Sequence, residues 1–122
     1  MSRNLELDKL IARDVYGYND YELDPKSNYT SNLDNAIDAI NYLMSKTDSQ
    51  SRLLRFEIIT EHTLDPRNQI IRLFYVVGCV WTDHNNKKHS VCFDTPNFGD
   101  LPKIICQTIK WYFGSVNRHN KE

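Results

Sequence analysis

Apolar residues near the start of the chain fall at Leu7, Leu10, Ile11 and Val15, the three-and-four spacing of one helical face, with Glu6 and Asp8 near the positive end of the helix dipole. Gly17 follows at once and suits the left-handed conformation that ends a helix. Residues 16–30 have no period and carry Gly, Pro, Asn and Asp, which reads as a long loop. Thr30 or Ser31 can cap a second helix, Ser31 with Asp34 forming a short-carboxylate variant of the capping box. Its apolar stripe is Leu33, Ala36, Ile37, Ile40, Leu43 and Met44, and Asp34, Asp38 and Asn41 make the solvated side.

The period then changes to two. Leu54, Phe56 and Ile58 alternate with Arg55 and Glu57, predicting a half-buried edge strand over residues 52–60. Asp65-Pro66-Arg67-Asn68 fits a turn with Pro at its second position. A second strand runs from about Gln69 to Thr82 and is apolar on both faces, with Ile71, Leu73, Tyr75, Val77, Cys79 and Trp81 on one and Phe74, Val76 and Val80 on the other. Asp83 to Lys88 supplies an Asn-rich hairpin turn and His89–Thr95 a third strand. A turn centred on Asn86 and Lys87 sets Trp81 opposite Cys92 and Val80 opposite Phe93. The last element opens at Gly99-Asp100 and has Pro102 in its first turn. It buries Leu101, Ile104, Ile105, Thr108, Ile109 and Tyr112, and is expected to stop at Gly114. Residues 1–114 then form one domain and residues 115–122 a polar tail.

The order helix, helix, three-stranded antiparallel meander, helix is an α+β class. Leaving the large apolar side chains of the second strand in water forfeits roughly 1.5 to 3 kcal/mol apiece. Helices are therefore expected on both sides of the sheet, in an α-α-β-β-β-α sandwich.

Composition narrows the chemistry. The 122 residues carry 15 Lys plus Arg against 16 Asp plus Glu, a net charge of −1, with the acids concentrated in the first 50 residues. Binders of nucleic acid draw affinity from dense basic stripes that release counterions, so nucleic acid is disfavoured as a partner. The longest apolar stretch, Tyr75 to Trp81, is far short of a membrane span, and the first residues carry no apolar signal core. Cys79, Cys92 and Cys106 are odd in number and lack metal-ligand spacing, which predicts reduced, buried thiols and a cytoplasmic setting.

Four of the seven tyrosines lie within residues 16–29, interleaved with acids. Tyr16, Tyr18, Asp20, Tyr21 and Tyr29 are therefore the candidate binding surface for a basic protein partner, since aromatics with a polar tip suit interfaces. The competing reading is that Tyr16 and Tyr18 only pack the loop onto the core. Arg67, Arg72, Lys87 and Lys88 are the alternative, a basic patch for weak nucleic-acid binding. His84 and His89 flank the second hairpin beside Asp83 and Asp94, but two ligands do not make a metal site. No nucleophile elbow, P-loop, dinucleotide fingerprint or metalloprotease helix is present, so neither enzyme activity nor a cofactor or metal is expected. A double-stranded-RNA module shares part of the element order, yet its last helix starts with lysines where this one starts Gly99-Asp100-Leu101-Pro102-Lys103.

Three segments in series resemble the phage ABA sandwich domain, a family of small proteins of bacterial viruses and prophages. They are Leu7-Asp8-Lys9-Leu10-Ile11-Ala12 through Val15-Tyr16-Gly17-Tyr18, Tyr29-Thr30-Ser31-Asn32-Leu33 with Ala36, and Asp100-Leu101-Pro102 through Ile105-Cys106 and Lys110. Tyr18, Ile37 and Ile104 depart from the family's usual Trp, Trp and Ala. The resemblance implies a viral accessory protein in the bacterial cytoplasm, without catalytic residues to carry over. The expected function is stoichiometric binding to a host or viral protein, as a modulator of infection or an antagonist of bacterial defence. A second expectation is a protein that sequesters a small nucleotide signal, as a homo-oligomer with pockets between subunits.

Overall fold

Asn4 opens the first helix, α1 (Leu5–Asp14), its side chain accepting from the Leu7 amide at 3.1 Å. The helix ends as its pattern implies, with Gly17 at φ +74° donating its amide to the Arg13 carbonyl. A computed structural model of the chain describes residues 4–17, 28–45, 52–67, 69–83 and 85–120. The second helix, α2 (Leu33–Ser45), is capped by Asn32, which accepts from the Asn35 amide at 3.1 Å, and not by Thr30 or Ser31. Those hydroxyls have other work. Thr30 Oγ1 accepts from the Asn4 amide, and Ser31 donates its amide and hydroxyl to Asn28 Oδ1.

Three antiparallel strands follow in the order β1 (Arg52–Asp65), β2 (Ile70–Thr82) and β3 (Lys88–Thr95), with β2 central. The first strand runs past its alternating stretch to Asp65, and the turn at Pro66 closes with Gln69 at φ +56°. The second hairpin is shifted from its expected register. Trp81 lies opposite His89, Val77 opposite Phe93 and Gly78 opposite Cys92. The cause is a three-residue loop in place of a longer one: Asp83 and Lys87 pair by backbone, and Asn86 takes a left-handed φ of +62°. Asp83 Oδ1 holds that loop by accepting from the amides of Asn85 and Lys87 at 2.8 and 3.0 Å.

A 3-10 turn at Phe98–Asp100 leads into α3 (Leu101–Asn120), which continues through Gly114 where a stop was expected. Gly within a helix costs about 1 kcal/mol relative to Ala but does not break it. The residues expected on its buried face are buried, namely Leu101, Ile104, Ile105, Thr108, Ile109 and Tyr112.

Class and element order are as expected, whereas the layering is not. One cluster joins Leu7 and Ile11 of α1 with Val15 just after it, Ala36, Ile40 and Leu43 of α2, the buried face of α3, and Val77, Cys79 and Trp81 of β2. Both α1 and α2 pack directly on α3, and α3 packs on β2 and β3. Helices on opposite sides of a sheet would be kept apart by two layer spacings of about 10 Å each, so all three helices share one side. On the other side Phe74, Val76, Gly78 and Val80 of β2 run between Arg55, Glu57, Ile59 and Glu61 of β1 and Ser90, Cys92 and Asp94 of β3. None of these residues is buried. The expected sheet between helices is thus, in the single chain, a sheet with one helical layer and one open face.

Candidate binding surfaces

The lengths of the strands create the first surface. β2 has 13 residues and β3 only 8, so the stretch Ile70–Phe74 pairs with β1 alone and projects as a two-stranded arm. On the arm's helix-side face Leu64 lies opposite Ile71 and His62 opposite Leu73. Leu64, Ile71 and Leu73 are 61%, 64% and 46% exposed. Phe98, 55% exposed, meets Tyr75 edge-on at 5.4 Å and extends this apolar stripe onto the turn before α3. Two-stranded ribbons are marginal in water by themselves, and exposed apolar stripes of this kind mark contact sites. The sequence carried a signal for it: an apolar run on β2 longer than the third strand can pair.

The tyrosine-rich segment divides. Tyr29 is buried, which removes it from any surface, and Tyr16 is half-buried, its ring 5.7 Å from Tyr29 and 4.7 Å from Tyr42. These rings fasten α1 to α2. Tyr18, Asp20 and Tyr21 lie outside the described residues.

The basic residues do not form a patch. Arg67 sits in the β1–β2 turn and Lys87 and Lys88 at the β2–β3 turn, at opposite ends of β2, about 40 Å apart along the strand. The backbone of Arg72 belongs to the Arg67 end. Lys87 and Lys88 are exposed neighbours, two charges where a phosphate-binding stripe needs many.

His89 serves the hairpin. Its Nε2 is 2.8 Å from Asp83 Oδ2, and its ring stacks on Trp81 at 5.6 Å. His84 lies outside the described residues, among which no group of three or more His, Cys, Asp or Glu is placed to hold a metal. The hydrogen bond to His89, helped by the amides of Lys87 and Asn85, holds the Asp83 carboxyl well below its ordinary 3.8, against the opposing effect of desolvation. A carboxyl with a lowered folded-state pKa binds fewer protons folded than unfolded. Its contribution is therefore whole above the unfolded value and is lost as pH falls below it. The urea midpoint should accordingly drop between about pH 5 and pH 3, and the Asp83→Asn chain should drop less over that interval.

The cysteines also divide. All three are free, Cys79 and Cys106 are buried, and Cys92 is exposed on the open face, contrary to the expectation that all are buried. Burial pushes the Cys79 thiol up to about 12 and raises that of Cys106, with the charge of Asp8 adding to the latter. Neither is a nucleophile near neutral pH.

Two adjoining grooves border α3. One of about 410 Å³ is lined by Phe93, Gln107, Lys110, Trp111 and Gly114. The other, about 390 Å³, lies between α1 and α3 and shares Gln107 and Lys110, adding Lys9 and Arg13. Among the described residues no helix is long and apolar enough to cross a membrane. No protein-family model, curated protein or solved structure matches the chain.

Proposed function

We propose that this chain is a non-enzymatic protein that acts stoichiometrically by binding another protein through its projecting β1–β2 arm. One observation carries the reading: Leu64, Ile71 and Leu73 are exposed together on a ribbon that none of the described helices covers, although burying side chains of this size is worth roughly 1.5 to 3 kcal/mol each. A face of that kind is an anchor for a groove on a partner. The resemblance of three segments to phage ABA sandwich domains, whose two-sided layering this chain does not repeat, is the ground for a setting in the bacterial cytoplasm and a host or viral partner, with antagonism of a defence system as the role.

The test compares wild type with Ile71→Lys in affinity capture from bacterial lysate. Ile71 is solvent-facing, so its replacement should leave the melting temperature nearly unchanged. Recovery of a saturable partner should fall about 30-fold, the loss typical of a central anchor. Equal recovery by both chains, or none that saturates, contradicts the proposal.

A second reading is favoured by the paired grooves along α3. Phe93 and Trp111 offer rings and Lys110 and Lys9 offer charge, the pairing that would hold a flat anionic molecule such as a nucleotide. A nucleotide at about 100 times its dissociation constant adds about 2.7 kcal/mol of stability, so flat melting curves across a nucleotide set would remove this reading.

A further inference from the structure

We propose that the open face of the sheet is the interface of a symmetric dimer of this chain, two sheets packing face to face with the helices outside. The arm's partner-binding stripe lies on the opposite side of the β1–β2 hairpin, so the two proposals stand or fall separately.

The first argument is Gly78, in the middle of the central strand and of the open face. Glycine weakens a strand and commonly marks a place where another chain comes close. Nothing inside the chain demands it: a Cβ there would lie 3.9 Å from both Cys92 Cβ and the Val91 carbonyl, ordinary contact, and the backbone is not left-handed. Gly78 therefore leaves a dent in an otherwise apolar stripe of Phe74, Val76 and Val80.

The second argument is register. Ile58, Val77 and Phe93 lie side by side across the three strands. A two-fold axis running across the strands at that level, between the facing sheets, lays each strand antiparallel over its own copy. Val76 of one copy then stands over the Gly78 dent of the other, twice. Phe74 meets Val80, and Arg55, which within the chain pairs with Glu57 at 3.1 Å, meets Glu61, while Glu57 meets Ile59 and Cys92 meets Asp94, each also twice. The competing arrangements lose this pairing. An axis along the strands sets Arg55 over Ser90 and Glu61 beyond the end of β3, so that neither meets a counter-charge, and moving the crossing axis by one residue sets Glu57 over Glu57 or over Glu61. Like charges in such contact oppose association.

Area agrees. Three strands about 4.8 Å apart, 8 to 13 residues long at about 3.3 Å each, present a face on the order of 500 Å² in projection. Side-chain relief brings that near the roughly 800 Å² each partner gives to a standard interface. Sheets facing this way pack about 10 Å apart with interleaved side chains, the geometry in which a valine fits a glycine dent. The apolar second face of β2 is then covered by a second copy.

Sedimentation equilibrium tests it. Wild type should show about 29 kDa, twice the 14.4 kDa of the chain, at tens of micromolar and above. Gly78→Val should weaken association at least about 100-fold while melting no lower than wild type at concentrations dilute enough that both are monomers, since valine suits a strand. Arg55→Glu and Glu61→Arg should each weaken it about tenfold, and the double exchange should recover most of that loss. A wild-type mass of 14.4 kDa at about 100 µM, an undiminished dimer in Gly78→Val, or a double exchange no tighter than its single variants overturns the proposal.

Discussion

Replacing Ile105 by alanine is expected to lower the stability of the fold by about 3 to 4 kcal/mol, a large part of the 5 to 15 kcal/mol a domain of this size possesses. Ile105 is 0% exposed and belongs to α3, the one helix against which α1, α2, β2 and β3 all pack. The cost combines the lost transfer energy of the removed carbons with a cavity among neighbours held by several different elements. No single element can move in to fill it without leaving another. A chemical-denaturation series should show a fall in midpoint with an unchanged slope, and a thermal scan a drop of about 10 °C or more. The same change at Met44, expected in the apolar stripe of α2 but 39% exposed at the edge of that stripe, should cost about 1 kcal/mol or less.

The second large effect is expected at Asp8. Its carboxylate, fully buried, accepts from the amides of both Tyr29 and Thr30 at 2.9 Å, and Thr30 in turn accepts from the Asn4 amide that begins α1. A single oxygen thus ties the first helix to the backbone leading into the second. Asp8→Ala leaves two inward-pointing N–H groups without an acceptor, at about 1 to 3 kcal/mol each once relaxation is allowed, and a total near 3 kcal/mol is expected. Asp8→Asn keeps an oxygen in place and should cost distinctly less. Urea unfolding of the two variants separates the two origins of the effect. Equal losses would assign the stabilisation to charge and not to the accepted hydrogen bonds.

Much of this fold was legible because its signals are local. The stripe Leu7, Ile11, Val15 and the buried set on α3 each report a period, and period follows from backbone geometry alone. The alternation from Leu54 to Ile58 locates the strand but not its buried face, because a bulge between Leu53 and Arg55 takes Leu54 out of the ladder and both Leu54 and Ile58 are exposed. Long-range features were harder to read. Asp8 reads from the sequence as a helix-dipole residue, although its position three and four residues before Ile11 and Ala12 puts it on the buried face, a placement that calls for a specific partner. The hairpin register depended on Asn86 accepting a left-handed conformation, which shortened the loop and moved every facing pair. The layering departs from expectation for a physical reason. Apolar residues on both faces of β2 report how much surface calls for cover, but composition does not say whether the same chain supplies it, and here the helices cover one face only. Tyr29 shows the reverse error, a residue typical of interfaces that is spent on the interior. The arm was readable only in part, since its exposure depends on where β3 ends.

The claim on which the rest depends is that all three helices lie on one side of the sheet, leaving the other side bare in the single chain. Thiol labelling of the folded Val76→Lys chain tests it most directly, because a charge in the middle of the open face keeps a second copy away. The expected result is one fast thiol, Cys92, with Cys79 and Cys106 reacting only as the protein unfolds. A Cys92 as slow as the other two, or a Val76→Lys chain that cannot fold, would contradict it.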